Sequence, residues 1–156
     1  MINKIEIFDC DGVLVDSSHR YRNLPNGSID LDYWIANNTP EKVAKDSLLP
    51  HVSRYRDSLK NAEAYTIIAT ARLCRMHDLE YFRDNLGFPQ KLICRKEGDI
   101  RKDWVLKAAG IRRLLNLRQF KNAAVTIWED NPVTIENLRR LFPHWHFNFV
   151  RSNQGA

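Results

Sequence analysis

Five short apolar runs, Lys4 to Phe8, Tyr65 to Ala69, Lys91 to Cys94, Ala123 to Trp128 and His146 to Val150, are separated by longer stretches whose apolar residues recur at helical spacing. A parallel sheet satisfies this alternation, because each crossover needs a helix-sized connection and each strand is then covered on both faces. The chain is therefore expected to form an α/β fold of three layers, Rossmann-like, around a central parallel sheet. Its 156 residues suffice to bury such a core without disulfides. With no internal repeat, low-complexity tract or linker, a single domain over residues 1–156 is expected.

The helical segments carry their own punctuation. Thr39-Pro40-Glu41 supplies a cap, a first-turn proline and a first-turn acid, and Pro50 divides the segment that follows through Leu59. A second helix is expected from Leu73 to Leu86, closed by Gly87, and a third from about Asp99. The fourth starts at Asn131-Pro132 and carries Ile135, Leu138, Leu141 and Phe142 on one stripe. Residues 17–38 lack this regularity and contain the turn signal Pro25-Asn26-Gly27-Ser28, which predicts a small flap or hairpin over the sheet edge.

Composition narrows the classes. Lys plus Arg number 24 against 19 Asp plus Glu, a net charge of +5 that permits acidic or phosphorylated ligands. Cys10, Cys74 and Cys94 are odd in number, widely spaced and free of any C-x-x-C pairing, which fits reduced thiols in a cytoplasmic protein. No apolar run approaches the roughly 18 residues that span a bilayer, so no membrane association is expected.

The stretch Ile5-Glu6-Ile7-Phe8-Asp9-Cys10-Asp11-Gly12 sets two carboxylates one residue apart where an apolar strand stops. Like charges this close destabilise each other unless a cation or a shared proton intervenes. Ligands of open parallel sheets bind beyond the carboxyl ends of the strands, and those ends are polar throughout: Asp9 and Asp11, then Thr70 and Arg72, then Arg95 to Lys102, then Glu129 and Asp130. Clustered carboxylates without His or Cys partners favour a hard divalent cation such as Mg²⁺, together with a phosphate.

The order D-x-D-G-V-x-x-D-S after the first strand, T-A-R after the second, an isolated lysine in R-K-D, and W-E-D-N-P after the fourth resembles the four motifs of the haloacid dehalogenase superfamily. The resemblance implies a Mg²⁺-dependent phosphatase with a minimal cap. Asp9 would be the nucleophile that forms an aspartyl-phosphate, and Asp11 the general acid and then base. Thr70 and Lys102 would bind the transferring phosphoryl group. Asp9, Asp130 and Glu129, with Asp11 through its backbone, would hold the metal, Asp130 ranking ahead of Glu129.

Within the superfamily, Cys94 to Asp103, followed by Val105 and Lys107, is similar to the third-motif region of the phosphatase domain of polynucleotide kinase-phosphatases, while no kinase P-loop occurs. That likeness implies phosphate removal from nucleic-acid 3′ ends, with a role in nucleic-acid repair, or from nucleotides, with Arg72 and Arg95 as substrate contacts and no obligate protein partner. Tyr21, Tyr33 and Trp34 are candidates to stack on a base. A phosphatase for another small phosphoester, and a noncatalytic binding module of the same fold using Arg112, Arg113, Arg139 and Arg140, are the alternatives.

Overall fold

In a computed structural model of the chain, residues 1–151 are described. The elements in chain order are β1 (Lys4–Phe8), β2 (Val15–Asp16), α1 (Leu31–Ala36), α2 (Pro40–Val43), β3 (Ser47–Leu48), α3 (Val52–Lys60), β4 (Ala64–Leu73), α4 (Met76–Tyr81), β5 (Lys91–Arg95), α5 (Asp103–Leu115), β6 (Ala124–Glu129), α6 (Pro132–Leu141) and β7 (His146–Phe149). Five strands pair in the order β5-β4-β1-β6-β7, all parallel, and β2 with β3 forms a separate antiparallel ribbon. The α/β architecture with a central parallel sheet is as the alternation of apolar runs requires.

β1 lies at the centre, so both its faces are covered. Ile5 and Ile7 pack with Ile67, Ile111 and Leu138 on one side, while Phe8 packs with Tyr55, Phe82 and Trp128 on the other. Full burial of each such side chain is worth about 1.5–3 kcal/mol. The Phe8 ring stacks on Trp128 with centroids 4.4 Å apart and meets Tyr55 edge-on. This aromatic floor fixes the ends of β1 and β6 side by side, and the polar residues follow directly from those ends.

Several boundaries differ from the sequence expectation. The second helix does not begin at Leu73, because β4 continues to that residue and pairs it with Arg95 after a bulge. The helix starts only at Met76, after the Arg75 N–H donates to the Asp78 carboxylate at 2.8 Å. It ends in a wide turn over Phe82–Leu86, closed by Gly87 at φ 94°, as the glycine implied. The third helix begins at Asp103 rather than Asp99, since Asp99 instead accepts the Arg101 N–H at 3.0 Å and closes a local turn.

The segment read as a flap is the insert between β2 and β3. It carries a 3₁₀ turn at Ser18–Arg20, one isolated bridge between Asn23 and Ile29, and then α1, whose cap Asp30 accepts the Tyr33 N–H at 3.1 Å. Asn26 and Gly27, the latter at φ 87°, make the turn.

Candidate active site

The register sets Phe8 beside Ile68 of β4 and Trp128 of β6. One residue later the Asp9 N–H still donates to Trp128 O at 3.0 Å, so Asp9 leaves the sheet level with Glu129 and Asp130, with Thr70 on the other side. All four are buried. The sequence-predicted residues Asp9, Glu129 and Asp130 thus lie at the carboxyl ends of β1 and β6, and Thr70 lies on the neighbouring β4, three residues before its end.

The lysine that meets Asp9 and Glu129 is Lys107, where Lys102 was expected. Lys102 is exposed and precedes the first turn of α5, whereas Lys107 lies on the inward stripe of that helix with Ile111 and Leu114 and is fully buried. Its Nζ donates to Asp9 Oδ1 at 3.0 Å and Glu129 Oε2 at 2.6 Å, and lies 3.2 Å from Asp103. Asp103 in turn accepts from the Thr134 hydroxyl at 3.2 Å. Burial pulls the Lys107 ammonium toward losing its proton, but Asp103, Asp9 and Glu129 outweigh that and hold it charged.

The acids remain in excess. Burial, then the charge of Glu129, pushes the Asp9 carboxyl well above the ordinary carboxylate range despite Lys107. Burial likewise raises Asp103. Burial acts against Glu129 too, yet Lys107 and hydrogen bonds from Asp9 and Asp130 hold it low. Two backbone N–H groups, of Asp130 at 3.1 Å and Asn131 at 3.2 Å, donate to Glu129 Oε1. Asp9, Glu129 and Asp130 each offer an oxygen within 4.8 Å of the others, a buried all-carboxylate set that fits a hard divalent cation.

Asp11 faces a different environment. Its carboxylate accepts from Ser17 Oγ at 2.7 Å and from the Arg72 guanidinium at 2.5 and 3.3 Å. Burial raises its pKa, but Arg72, Arg20 and Ser17 bring it below the usual value. Its side chain is therefore engaged apart from the Asp9, Glu129 and Asp130 trio.

Arg72 is fully buried and divided among Asp11, Asp46 at 3.1 Å and Asp78 at 3.0 Å. Asp46 also takes a two-pronged bond from buried Arg20 at 3.0 and 2.8 Å, and Arg20 lies over the Trp34 ring at 4.5 Å. Arg72 of β4 thus fastens the insert to the first loop through Asp46 and Asp11, while Arg20 braces the insert from within.

Arg72 and Arg95, expected to contact substrate, are both buried and hydrogen-bonded within the protein. Arg72 is enclosed by carboxylates. Arg95 is 5% exposed and donates to the backbone oxygens of Ala71, Asp99 and Arg101 at 2.7–2.9 Å, which shapes the loop before α5. Thr70 Oγ1 accepts the Arg72 N–H at 3.0 Å.

Of the aromatic candidates, Trp34 is buried beneath Arg20, and Tyr33 has Arg22 over its face at 4.0 Å. Tyr21 is half-buried with its ring edge-on to Trp34, and burial followed by the field of Asp130 and Asp11 makes its phenol harder to ionise.

Asp103 and Lys107 stand in the sequence likeness to polynucleotide kinase-phosphatases, but sequence reasoning gave the site lysine to Lys102 and no role to either of them. The D-x-x-x-K spacing, which sets both on one helix face, was the available signal.

A five-stranded parallel sheet with its acids at the ends of β1 and β6, and a short insert after β1, is the haloacid dehalogenase-like phosphatase fold. It matches the chain in the solved Pnkp1/Rnl/Hen1 complex (19% identity, 99% of this chain and 47% of that one, TM-score 0.66). It also matches a haloacid dehalogenase-like family hydrolase from Streptococcus pneumoniae (18% identity, 88% and 80%, TM-score 0.55). Residues 1–154 match the family described as Bacteriophage T5 5′-deoxynucleotidase, and the chain belongs to that family. The 5′-deoxynucleotidase of Escherichia phage T5 is 33% identical over 85 residues, covering 53% of this chain and 35% of that protein's length. Among the described residues, no helix is long and apolar enough to cross a membrane.

Proposed function

We propose that the protein is a phosphomonoesterase that removes the 5′-phosphate of deoxynucleotides, with Asp9 as nucleophile. The observation that carries this reading is the buried group of Asp9, Glu129, Asp130 and Lys107 at the strand ends, in a chain of the T5 5′-deoxynucleotidase family. Asp9, Asp130 and Glu129 would hold Mg²⁺ through the carboxylate oxygens they bring within 4.8 Å of one another. When bound, the cation supplies positive charge that offsets the carboxylates and the phosphate dianion.

The chain's own residues do the rest. An Asp9 oxygen attacks phosphorus and the bond to the sugar O5′ breaks, giving an aspartyl-phosphate. Asp11 gives a proton to that oxygen, then takes one from the water that cleaves the acyl phosphate. Arg72 keeps Asp11 ionised in the free protein, so donation needs a rise in its pKa, which the arriving phosphate dianion provides by charge repulsion. Lys107 orients Asp9, and the Thr70 hydroxyl hydrogen is directed to a phosphate oxygen.

The test is phosphate release from a panel of 5′-deoxynucleoside monophosphates, 3′-phosphorylated oligonucleotides, sugar phosphates and an aryl phosphate. Highest kcat/KM on the 5′-deoxynucleotides supports the reading. A preference for 3′-phosphorylated ends would replace it with an end-processing function, and no turnover of any substrate would leave a binding module.

A further inference from the structure

Beside β7, at the edge of the sheet, lie rings and arginines that the phosphatase reading does not use. Phe142 and Trp145 close a turn after α6, their rings stacked with centroids 4.0 Å apart and the Trp145 N–H donating to Phe142 O at 3.2 Å. Trp145 meets Phe147 at 6.1 Å, and Phe149 shares the face of Phe147 because alternate strand residues point the same way. Phe147 packs against the cluster of Ile111, Leu114 and Leu138, but Phe149 is 52% exposed and has no ring or cation partner among the described residues. The row from Trp145 runs for about 13 Å along an edge strand and ends level with Glu129, the register partner of Phe149.

The charge beside the row is one-sided. Arg112 of α5 lies over the Phe142 ring at 5.6 Å, and Arg139 of α6 over the Phe147 ring at 5.2 Å. Among the described residues neither of them, nor Arg113, meets a carboxylate, whereas Arg140 pairs with Glu136 at 2.8 Å. From Asn131 to Arg151 the chain carries one acid, Glu136, against Arg139, Arg140 and Arg151. Unpaired guanidiniums laid over ring faces suit a ligand that is both flat and polyanionic, which is what bases on a phosphate chain are.

We propose that this row binds single-stranded DNA, with one base stacked on Phe149, its neighbour on the Arg139 guanidinium above Phe147, and Arg112 and Arg113 at phosphates. A duplex keeps its bases stacked inside and does not offer them to the rings. The side chains of the row present no acceptor to a 2′-hydroxyl, so ribose adds nothing to the contact. The binding stands apart from the choice of phosphomonoester at the acids, although a strand lying on the row is led to their level.

The experiment follows, by fluorescence anisotropy, the binding of a labelled oligothymidylate of about 12 nucleotides to the whole protein in chelator. Both ends are unphosphorylated, so the acids have no phosphomonoester to bind. Saturable binding, tighter than to a duplex of equal length, is expected. Phe149→Ala should weaken it by about 5- to 150-fold, the range for one lost stacked base. Arg112→Gln should lower the slope of log affinity against log salt by about 0.7, the share of one phosphate contact. Thermal melting checks that both variants fold, and the wild-type comparison of strand with duplex decides the question even where one does not. Equal affinity for strand and duplex, or unchanged affinity of a folded Phe149→Ala, overturns the proposal. So does the absence of strand binding, and a dimer that Phe149→Ala breaks would then give the row to a second copy of the chain.

Discussion

Two groups of buried charge lie on either side of the first loop, and they differ in balance. At the strand ends, Asp9, Asp103 and Glu129 share one ammonium, Lys107, and Asp130 brings a third carboxylate next to those of Asp9 and Glu129. Beneath the insert, Asp11, Asp46 and Asp78 share two guanidiniums, Arg20 and Arg72, in two-pronged contacts. The second group is close to neutral and densely hydrogen-bonded, as a buried structural network must be. The first is short of positive charge, and that deficit is the reason the proposed cation and phosphate are assigned to it. Residue type alone does not separate the two groups, since both are mostly aspartate; the ratio of acids to bases does.

The largest expected effect falls on the undercharged side. Asp9→Asn removes the attacking oxygen, and Lys107→Met removes the cation that orients it, so phosphate release should fall to background in both. Circular dichroism should show Asp9→Asn still folded. Substantial turnover by Asp9→Asn would exclude it as nucleophile.

On the balanced side the effect should be on stability. Arg72→Met leaves Asp11, Asp46 and Asp78 without their shared partner, a loss of about 3–5 kcal/mol by analogy with broken buried ion pairs. Urea denaturation measures it. A change below about 1 kcal/mol, the scale of surface pairs, would mean that the network is not structural.

A smaller, pH-dependent effect separates the groups again. The folded-state pKa of Asp9 lies above its ordinary value of 3.8, so its contribution to stability is full below that value and is lost as pH rises through the folded pKa. In chelator, the wild-type melting temperature should therefore fall more than that of Asp9→Asn between mildly acid and mildly alkaline pH. Parallel curves would contradict the raised pKa.

The smallest effect concerns Lys102. Exposed before α5, it should tolerate Lys102→Ala with a stability change within about 0.5 kcal/mol and near-normal turnover. Loss of activity there would restore the assignment made from the sequence alone.

That assignment shows where the sequence was legible. Asp9 and Asp130 were readable because an acid directly after an apolar run has few structural reasons to be there, and the strand register carries both to one edge. Lys107 was not, because a helix lysine ordinarily points to solvent, and only its place on the stripe of Ile111 and Leu114 reveals that it points inward. Arg72 reads as a ligand contact in T-A-R until Asp46, from the insert, and Asp78, in the first turn of α4, are seen to enclose it. The continuation of β4 to Leu73 was hidden for a related reason, since Thr70 and Arg72 are polar and end the apolar run while the backbone pairing continues.

The most direct test of the charge-deficit account is a calorimetric titration of Mg²⁺ into the chelator-treated protein, compared with Asp130→Asn. The account predicts saturable binding of one ion to the wild-type protein and at least about tenfold weaker binding to the variant, the scale expected when a ligating carboxylate or its support is lost. Equal affinity in the two proteins, or no binding to the wild-type protein in the presence of inorganic phosphate, would contradict it.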